Sequence, residues 1–426
     1  MKILTISDSP TLYTGMGRVH RHVIDALVRD GNEVLPCGWF AYDTPSLEKI
    51  KAGEKVPPVI YNSNGTEVRV VALPKGSSMN CMYAVHDAVD LFRPDVVVTL
   101  GDHWDFFYMH ALKVKSEFSF KWIGYLNVEH EETSEKWAAL LRYCDALVVP
   151  TLFGQMVMKS VGLEARLIPY GVDPVFRRMP EDKRKELRAQ RGCEGKVRFI
   201  SVAQNTWRKN LPVLLQAIEL LKGRDPNHEM QFYIHTNIDA SDPQEAAIYD
   251  PRKIRARLGL EEWVKFPRED LTFSVYQSPG DEFLAEEYNA SDFLISSSST
   301  EGYGLPVVEA MACGVPVIAN ATSALFEHLG AEFGQVGATQ RGRLVQGRTD
   351  IMPPARMMRI ATPDGLADAI WDMFLLARDG DGVLIEGMRK ACEEYGKGRT
   401  WAGMERELSE VAKEVAGPAR IPVEEL

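Results

Sequence analysis

Short apolar runs rich in β-branched residues alternate with stretches of helical periodicity along most of this 426-residue chain. Continuous apolar strands with helices between them predict parallel sheets that are covered on both faces. The runs fall into two series, which predict two doubly wound α/β domains. The predicted strands of the first series are Lys2–Ile6, Val68–Leu73, Asp95–Leu100, Lys121–Leu126 and Ala146–Pro150. Those of the second series are Val197–Val202, Met230–His235, Trp263–Phe266, Asp292–Ser297 and Val315–Ala319.

The segment between the two series, Ile168–Phe176, is rich in turn residues and predicts the domain boundary. We therefore expect an N-terminal domain over residues 1–172 and a C-terminal domain over residues 173–399. Within residues 400–426, Trp401–Val415 has helical spacing, and we expect this helix and the tail to pack back on the N-terminal domain. Ligands of open α/β sheets bind beyond the carboxyl ends of the strands, which predicts a site in a cleft between two facing domains.

The charge and cysteine content restrict the class of protein. A net charge of −11 disfavours broad attachment to nucleic acid or anionic lipid, and we interpret the basic stretch Arg177–Arg191 as a solvated helix face. The six cysteines form no CxxC pair, which is typical of reduced thiols in a cytoplasmic protein. No apolar run reaches about 18 residues and no signal-peptide pattern is present, so stable membrane insertion is not expected.

The most informative segment follows the strand predicted at Asp292–Ser297. It reads Thr300-Glu301-Gly302-Tyr303-Gly304-Leu305-Pro306, and the helix that begins near Leu305–Pro306 contains Glu309. Glycines allow a ligand to approach the backbone, and the free N–H groups of a helix start suit an anionic phosphate. The pattern predicts a site in which two carboxylates bind hydroxyl groups on either side of a phosphate.

Thr300–Ala319 resembles the Glu-x7-Glu motif of the retaining glycosyltransferases of family 4 (glycosyl transferases group 1), and the resemblance extends over nearly the whole chain. It implies the GT-B fold, in which two Rossmann-like domains are arranged across a cleft. It also implies that Glu301 contacts the transferred sugar and Glu309 the nucleotide ribose. The backbone of Gly302, Tyr303 and Gly304, with Leu305 after it, is then expected to line the sugar and diphosphate.

A second segment, Gln204–Asn210, follows a predicted strand and precedes the helix predicted at Leu211–Leu221. Its two cations, Arg208 and Lys209, would be unfavourable at a helix start unless an anion lay beside them. The segment resembles the donor-phosphate motif of the family, except that the usual arginine falls on Gln204. We therefore assign phosphate neutralisation to Arg208 and Lys209, and we expect Gln204 and Asn205 to contact the donor.

Loops of the N-terminal domain supply further candidates. Gly15 and Gly17 lie between the first strand and a helix; a third glycine is missing, which argues against a dinucleotide site. The resemblance implies instead that this loop faces the donor phosphates and the acceptor. His103 and Glu129 each follow a strand and are candidate contacts to the donor sugar or acceptor, and each has a structural role as its alternative.

Two further predictions concern the base and cofactors. The resemblance implies that the region of Phe266 grips the nucleobase, whereas Glu287 is expected to have a packing role. His103, Glu131 and Glu132 lack the tight spacing of metal ligands, so we expect no metal and no cofactor beyond a nucleotide-sugar co-substrate.

The sequence thus predicts a metal-independent, retaining glycosyltransferase that uses a UDP- or GDP-hexose. A glycan or small molecule is the expected acceptor, ahead of a lipid or a hydroxylated DNA base, and nucleic acid is therefore a lesser candidate partner. The alternatives are a GT-B-fold nucleotide-sugar epimerase and a non-catalytic nucleotide-sugar sensor. The sequence leaves the sugar, the linkage and the oligomeric state open.

Overall fold

A computed structural model describes residues 1–74, 79–131, 133–238, 250–267, 275–352, 356–380 and 382–417. The chain divides into two compact units. The first contains Met1–Val128, Thr133–Tyr170 and the chain from Trp401 onward, and the second contains Glu129–Glu132 and Gly171–Thr400. Glu132, which the sequence analysis considered as a metal ligand, lies outside the described residues.

The elements up to residue 167 belong to the first unit. In chain order they are β1 Lys2–Asp8, α1 Gly15–Arg29, β2 Glu33–Trp39, α2 Thr44–Lys51, β3 Val59–Ser63, β4 Thr66–Leu73, α3 Met79–Phe92, β5 Val96–Asp102, α4 Met109–Lys115, β6 Lys121–Asn127, α5 Glu135–Leu141, β7 Ala146–Val149, α6 Leu152–Ser160 and β8 Arg166–Leu167. A 3-10 turn, His103–Phe106, follows β5.

The elements that follow belong to the second unit, except for the last helix, α15. They are α7 Glu181–Gln190, β9 Val197–Val202, α8 Leu211–Leu221, β10 Met230–His235, α9 Pro251–Arg257, β11 Val264–Lys265, α10 Asp281–Asn289, β12 Phe293–Ser296, α11 Leu305–Ala312, β13 Val317–Asn320, α12 Leu325–Leu329, β14 Gly337–Thr339, β15 Gly342–Val345, β16 Gly347–Met352, β17 Arg356–Ala361, α13 Pro363–Asp379, α14 Gly382–Lys397 and α15 Trp401–Ala416. A 3-10 turn, Trp207–Lys209, precedes α8.

Each unit is built on one main sheet with helices on it. The first sheet has the strand order β3-β4-β2-β1-β5-β6-β7-β8, and the second has the order β11-β10-β9-β12-β13-β15-β14. Both orders reverse direction at a central strand, as in doubly wound folds. The central strands are almost fully buried, and their apolar side chains pack against the flanking helices in each unit.

The predicted strands are found, but the sheets are not purely parallel. β3 pairs antiparallel with β4, β14 pairs antiparallel with β15, and β16 and β17 form an antiparallel hairpin. The sequence analysis also missed β2, whose Pro36 argues against a strand interior. Pairing of β2 with β4 begins only at Cys37, so Pro36 lies where the strand has β1 as its ladder partner.

The interpretation of Arg177–Arg191 as a solvated helix face holds for only part of the segment. α7 covers Glu181–Gln190, and two of its arginines are largely buried against Asp292, which directly precedes β12. Arg188 Nη1 lies 2.9 Å from Asp292 Oδ2, and Arg184 lies 2.5 Å from Oδ1. A charge-rich helix can therefore contribute to packing through ion pairs, which a hydrophobicity pattern does not reveal.

Helix α15 packs on α1 within the first unit. The rings of His22 and Trp401 stack with centroids 4.0 Å apart. Glu405 accepts a contact from His22 Nδ1 at 2.9 Å and another from Arg29 Nη2 at 2.6 Å. The apolar spacing that predicted this helix corresponds to buried Trp401, Met404 and Leu408.

Candidate active site

The strongest cluster of charged side chains among the predicted residues lies in the second unit. Lys209 donates a short hydrogen bond to Glu301 Oε1, and Arg208 Nη1 lies 3.3 Å from Glu301 Oε2. Arg208 Nη1 also lies 3.4 Å from Glu129 Oε1. The fold thus brings together four residues that the sequence analysis named in three different stretches of the chain.

The backbone of the Trp207–Lys209 turn is held by the polar loop after β12. Ser297 Oγ donates to the carbonyl of Lys209 at 2.7 Å, and Ser299 Oγ donates to the carbonyl of Arg208 at 2.9 Å. Asn210, in the left-handed region with φ 53°, then redirects the chain into α8. The two serine hydrogen bonds fix the backbone of Arg208 and Lys209, from which both side chains extend to Glu301.

Glu301 is ionised in this setting. Its side chain is buried, and burial by itself raises the pKa of a carboxyl group, but the charges of Lys209 and Arg208 lower the pKa of Glu301 to about 2. Burial, together with the neighbouring Arg208, lowers the pKa of Lys209. The lowered pKa of Glu301 means that the two cations stabilise negative charge at this position, whereas the lowered pKa of Lys209 reflects mainly its burial.

Glu129 is a further carboxylate on the cation pair. It is buried, and Thr300 Oγ1 donates to its Oε2 at 3.3 Å. The carbonyl oxygen of Thr300 accepts a hydrogen bond from Arg208 Nη1 at 3.2 Å. Two carboxylates therefore oppose two cations here, and any anion that enters competes with Glu129 and Glu301 for Arg208 and Lys209.

The turn from Gly302 to Leu305 leads into α11. Gly304 has φ 88°, a left-handed conformation that favours glycine. Within the described part of the chain, no side chain caps the first turn of α11. The N–H of Glu301 donates to Ser323 Oγ at 2.8 Å, which ties the start of the turn to the loop after β13. The turn therefore leads into a helix start that lies beside two cations, an arrangement that suits an anion.

Glu309 lies one turn into α11 and is buried. Its Oε2 accepts a hydrogen bond from Tyr288 Oη at 3.1 Å. Tyr288 belongs to α10, so the carboxylate is oriented by a side chain of the preceding helix. Its predicted contact with a ribose stays a prediction.

The other predicted residues of the second unit have varied surroundings. The Gln204 side chain is exposed, whereas Arg208 lies in the ion-pair cluster. Asn205 is buried, and its N–H donates to Asn237 Oδ1 at 2.7 Å. The Phe266 ring lies 5.1 Å from the Arg255 guanidinium and packs against the core of the unit.

Gly15, Gly17 and His103 belong to the first unit. Gly15 begins α1, and the N–H of Gly17 donates to Thr14 Oγ1 at 2.9 Å. His103 is buried in the turn after β5, with its ring centroid 4.7 Å from that of Trp104 and 5.5 Å from that of Trp137.

Sequence reasoning missed the residues that hold the cluster in place. Ser297, Ser299, Thr300 and Ser323 all bond to the backbone or side chains of the cluster. The Ser/Thr run before Glu301 was visible as a polar loop, but its partners are 88 to 171 residues away in sequence. Glu287 has the expected structural role, since it is buried and paired with Arg198 and Arg191.

The described residues contain no group of three or more His, Cys, Asp or Glu side chains arranged to hold a metal ion. Their helices include none that is both long and apolar enough to cross a membrane.

Residues 195–350 match the family model of Glycosyl transferases group 1. Mannosylfructose-phosphate synthase of Agrobacterium fabrum is 29% identical over 216 residues, which are 49% of this chain and 43% of that protein. This chain thus spans less than half the length of that curated relative in the match.

Solved structures match over almost the entire chain. Sucrose-phosphate synthase from Thermosynechococcus elongatus superposes with a TM-score of 0.70 at 18% identity, over 97% of this chain and 98% of that one. Anabaena HepE in complex with UDP-glucose superposes with a TM-score of 0.63 at 15% identity, over 97% of this chain and 99% of that one. The similarity confirms the predicted GT-B fold class.

Proposed function

The chain carries a Glycosyl transferases group 1 domain at residues 195–350, and we propose that it is a glycosyltransferase that moves a hexose from a nucleoside diphosphate sugar to an acceptor hydroxyl. The observation that carries the proposal is the cluster of Arg208, Lys209 and Glu301 beside the first turn of α11. Paired cations and backbone N–H groups suit a diphosphate, and an adjacent carboxylate suits sugar hydroxyls.

In the proposed reaction, Lys209 and Arg208 exchange their carboxylate partners for the oxygens of the donor diphosphate. The bond between the anomeric carbon and the phosphate oxygen breaks, and both cations neutralise the charge that develops on the leaving group. The acceptor oxygen forms its bond on the same side of the sugar, so the anomeric configuration is retained. Its proton passes to an oxygen of the departing phosphate.

Glu301 has two tasks in this proposal. Before the donor arrives, it keeps Lys209 charged in a buried position by pairing with it. When the phosphates take over Lys209, the carboxylate of Glu301 is released to accept hydrogen bonds from sugar hydroxyls. Glu309 would bind the ribose in the same way, in exchange for or in addition to Tyr288.

We propose that the reaction needs no metal ion, because Arg208, Lys209 and the start of α11 supply the positive charge that a diphosphate leaving group requires. The proposed donor is a UDP-hexose, since the structurally similar HepE was solved with UDP-glucose. Two similar proteins are by name synthases of sugar phosphates, which favours a phosphorylated sugar as the first small-molecule acceptor to test.

The remaining predicted contacts complete the proposal. Gln204, Asn205, Phe266 and Leu305 would contact the nucleotide and diphosphate from the second unit. Gly15, Gly17 and His103 would act from the first unit on the donor phosphates, the sugar or the acceptor, and Glu129 would orient Arg208.

The experiment that tests the proposal measures thermal stabilisation and donor turnover with UDP-, GDP- and ADP-glucose, in the presence of EDTA. We expect stabilisation by one donor and slow release of its nucleoside diphosphate. Lys209→Ala and Arg208→Ala should each reduce turnover by about 10²- to 10³-fold, as the loss of one charge-stabilising donor does in other enzymes.

The matched control is Lys253→Ala, which removes a cation of the same unit whose side chain is 86% exposed. It should leave both readouts unchanged. Turnover near the wild-type value in both Lys209→Ala and Arg208→Ala would contradict the phosphate assignment. A Gln204→Ala variant that loses more turnover than Arg208→Ala would return the phosphate role to position 204.

A further inference from the structure

A buried histidine contacts the backbone of the glycine turn that precedes α11. His328 lies in α12 and is fully buried. Its Nε2 is 2.5 Å from the carbonyl oxygen of Tyr303, and its Nδ1 is 2.7 Å from Tyr395 Oη. Tyr395 Oη in turn lies 3.0 Å from Nη2 of Arg399. These contacts link α14 and the segment after it to the Gly302–Gly304 turn.

The two ends of this series of hydrogen bonds and the charge of the histidine fix its directions. A guanidinium only donates and a carbonyl oxygen only accepts, so Arg399 donates to Tyr395 Oη and His328 Nε2–H donates to the Tyr303 carbonyl. Burial lowers the pKa of His328 to about 3, which keeps the ring neutral. A neutral ring that donates from Nε2 accepts at Nδ1, so the Tyr395 hydroxyl donates to His328 Nδ1.

The surroundings of the histidine hold it in this orientation. Its ring meets the Tyr303 ring at 82° with centroids 4.9 Å apart and the Tyr395 ring at 67° with centroids 5.7 Å apart. Arg341 lies over the Tyr395 ring at 4.3 Å, and its Nε donates to the His328 carbonyl at 2.6 Å. Backbone and ring of His328 are thus restrained from both sides.

We propose that His328 is a positioning residue for the donor: it fixes the Tyr303 carbonyl and thereby the Gly302–Leu305 turn, whose N–H groups receive the diphosphate and sugar. This inference rests on the proposed function. Ser323 restrains one end of the turn through the N–H of Glu301, and His328 restrains the other end through Tyr303. Tyr395 and Arg399 act through the histidine by fixing its tautomer.

The free-energy cost of burying a polar side chain indicates that His328 does more than fill space. An apolar side chain would fill the buried volume without needing partners, whereas a buried imidazole requires both of its nitrogens to be satisfied. With an apolar side chain at position 328, the Tyr303 carbonyl would lose the hydrogen bond from His328 Nε2. The glycines on either side of Tyr303 would then allow the turn to change its dihedral angles. A shift of the turn moves the N–H groups that face the phosphate.

The experiment compares His328→Leu, His328→Gln and Tyr395→Phe with wild type, using calorimetric binding of UDP and of UMP. Since the turn receives the terminal phosphate of UDP in this proposal, His328→Leu should weaken UDP binding about tenfold and UMP binding less than about twofold. His328→Gln retains an N–H donor and an acceptor oxygen and should recover most of the UDP affinity. Tyr395→Phe removes the hydroxyl that fixes the tautomer of His328 and should weaken UDP binding about threefold.

Phe374→Leu is the control, because it removes packing in the core of the same unit without contacting the turn. It should lower the melting temperature and leave the ratio of UDP to UMP affinity unchanged. Equal UDP affinity in wild type, His328→Leu and Tyr395→Phe would overturn the inference while the proposed function stands. If His328→Leu does not fold, unchanged affinity in Tyr395→Phe overturns the inference instead. Absence of UDP binding by wild type would overturn both.

Discussion

The starts of α1 and α11 both carry two glycines separated by one residue, Gly15 and Gly17 in the first turn of α1 and Gly302 and Gly304 before α11, yet the glycines serve different purposes. A Cβ on Gly17 would lie 2.8 Å from the Leu12 carbonyl oxygen and 3.0 Å from that of Ser9, so this position needs glycine for close packing. A Cβ on Gly304 would have room, with its nearest neighbour 3.6 Å away, but the backbone there is left-handed. The same spacing thus arises from a packing constraint in one unit and from a dihedral constraint in the other.

The two helix starts also differ in how their N–H groups are satisfied. Thr14 caps α1 through its side chain and itself donates to Asp8 Oδ2 at 2.7 Å. For α11, the described residues include no such side-chain cap. At the start of α11 the Val307 N–H donates to the Gly304 carbonyl at 2.9 Å and Pro306 has no N–H, so it is the pair of cations beside this helix start that leads us to propose the second unit for the phosphates.

The largest expected effect concerns the carboxylates next to these turns. Glu301→Ala should lower turnover by about 10²- to 10³-fold, because it removes the proposed sugar contact and leaves Lys209 without its partner. The corresponding change before α1, Asp8→Asn, should cost less than about tenfold, since the Asp8 carboxylate accepts a hydrogen bond from Thr14 within the first unit. Steady-state rates of UDP release measure both. Similar losses in the two variants would place the first turn in the reaction as well.

The glycines allow stability and activity to be separated. Gly17→Ala should lower the free energy of unfolding by about 2 kcal/mol, because the new Cβ meets backbone oxygens that cannot move easily. Gly304→Ala should cost about 1 kcal/mol for a left-handed non-glycine residue, but it should lower turnover more than Gly17→Ala does. Urea unfolding and the rate of UDP release, measured on the same preparations, test whether Gly17→Ala has the larger effect on stability and Gly304→Ala the larger effect on turnover. Parallel losses at both positions would remove the distinction between the two turns.

The pH dependence of stability should have opposite signs at Asp8 and Glu301. Burial raises the pKa of Asp8, although the bond from Thr14 opposes the change, so its contribution is present at low pH and is lost as pH rises through that pKa. The pKa of Glu301 falls from 4.5 to about 2, so its contribution is present above pH 4.5 and is lost as pH falls towards 2.

Thermal unfolding of the amide variants from pH 3 to 8 measures these signs. Asp8→Asn should raise the melting temperature at pH 7 by about 2 °C, because it removes a buried charge. Glu301→Gln should lower it at pH 7, with a smaller difference from wild type near pH 3. A Glu301→Gln difference that grows as pH falls would contradict the proposed pairing with Lys209 and Arg208.

The smallest expected effect is at the cap of α1. Thr14→Ala should lower the free energy of unfolding by about 1 kcal/mol, the usual cost of a lost N-cap. Donor turnover should change little once corrected for the folded fraction. Thr14→Ser, which keeps the hydroxyl, is the matched control for chemical denaturation.

Much of the fold and part of the site could be predicted from local pattern. The boundaries of β9, β10 and α8 were predicted to the residue, because buried strands and amphipathic helices leave continuous periodic signals. The antiparallel edges and β2 were missed, since pairing partners and the tolerance of Pro36 depend on neighbouring strands. The segment around Glu301 was found because a strand, a glycine turn and a helix start are all local features.

The sequence by itself therefore determined two doubly wound units and the positions of the glycine turns, Glu301, Glu309 and the pair Arg208–Lys209. Only the tertiary structure decided that Arg208 lies between Glu301 and Glu129, and that His328 holds the carbonyl of Tyr303. Periodicity and turn chemistry are properties of adjacent residues, so they can be read along the chain. Ion pairs and hydrogen bonds between distant residues depend on which loops the strand order brings together, and a single sequence carries no local signal for that.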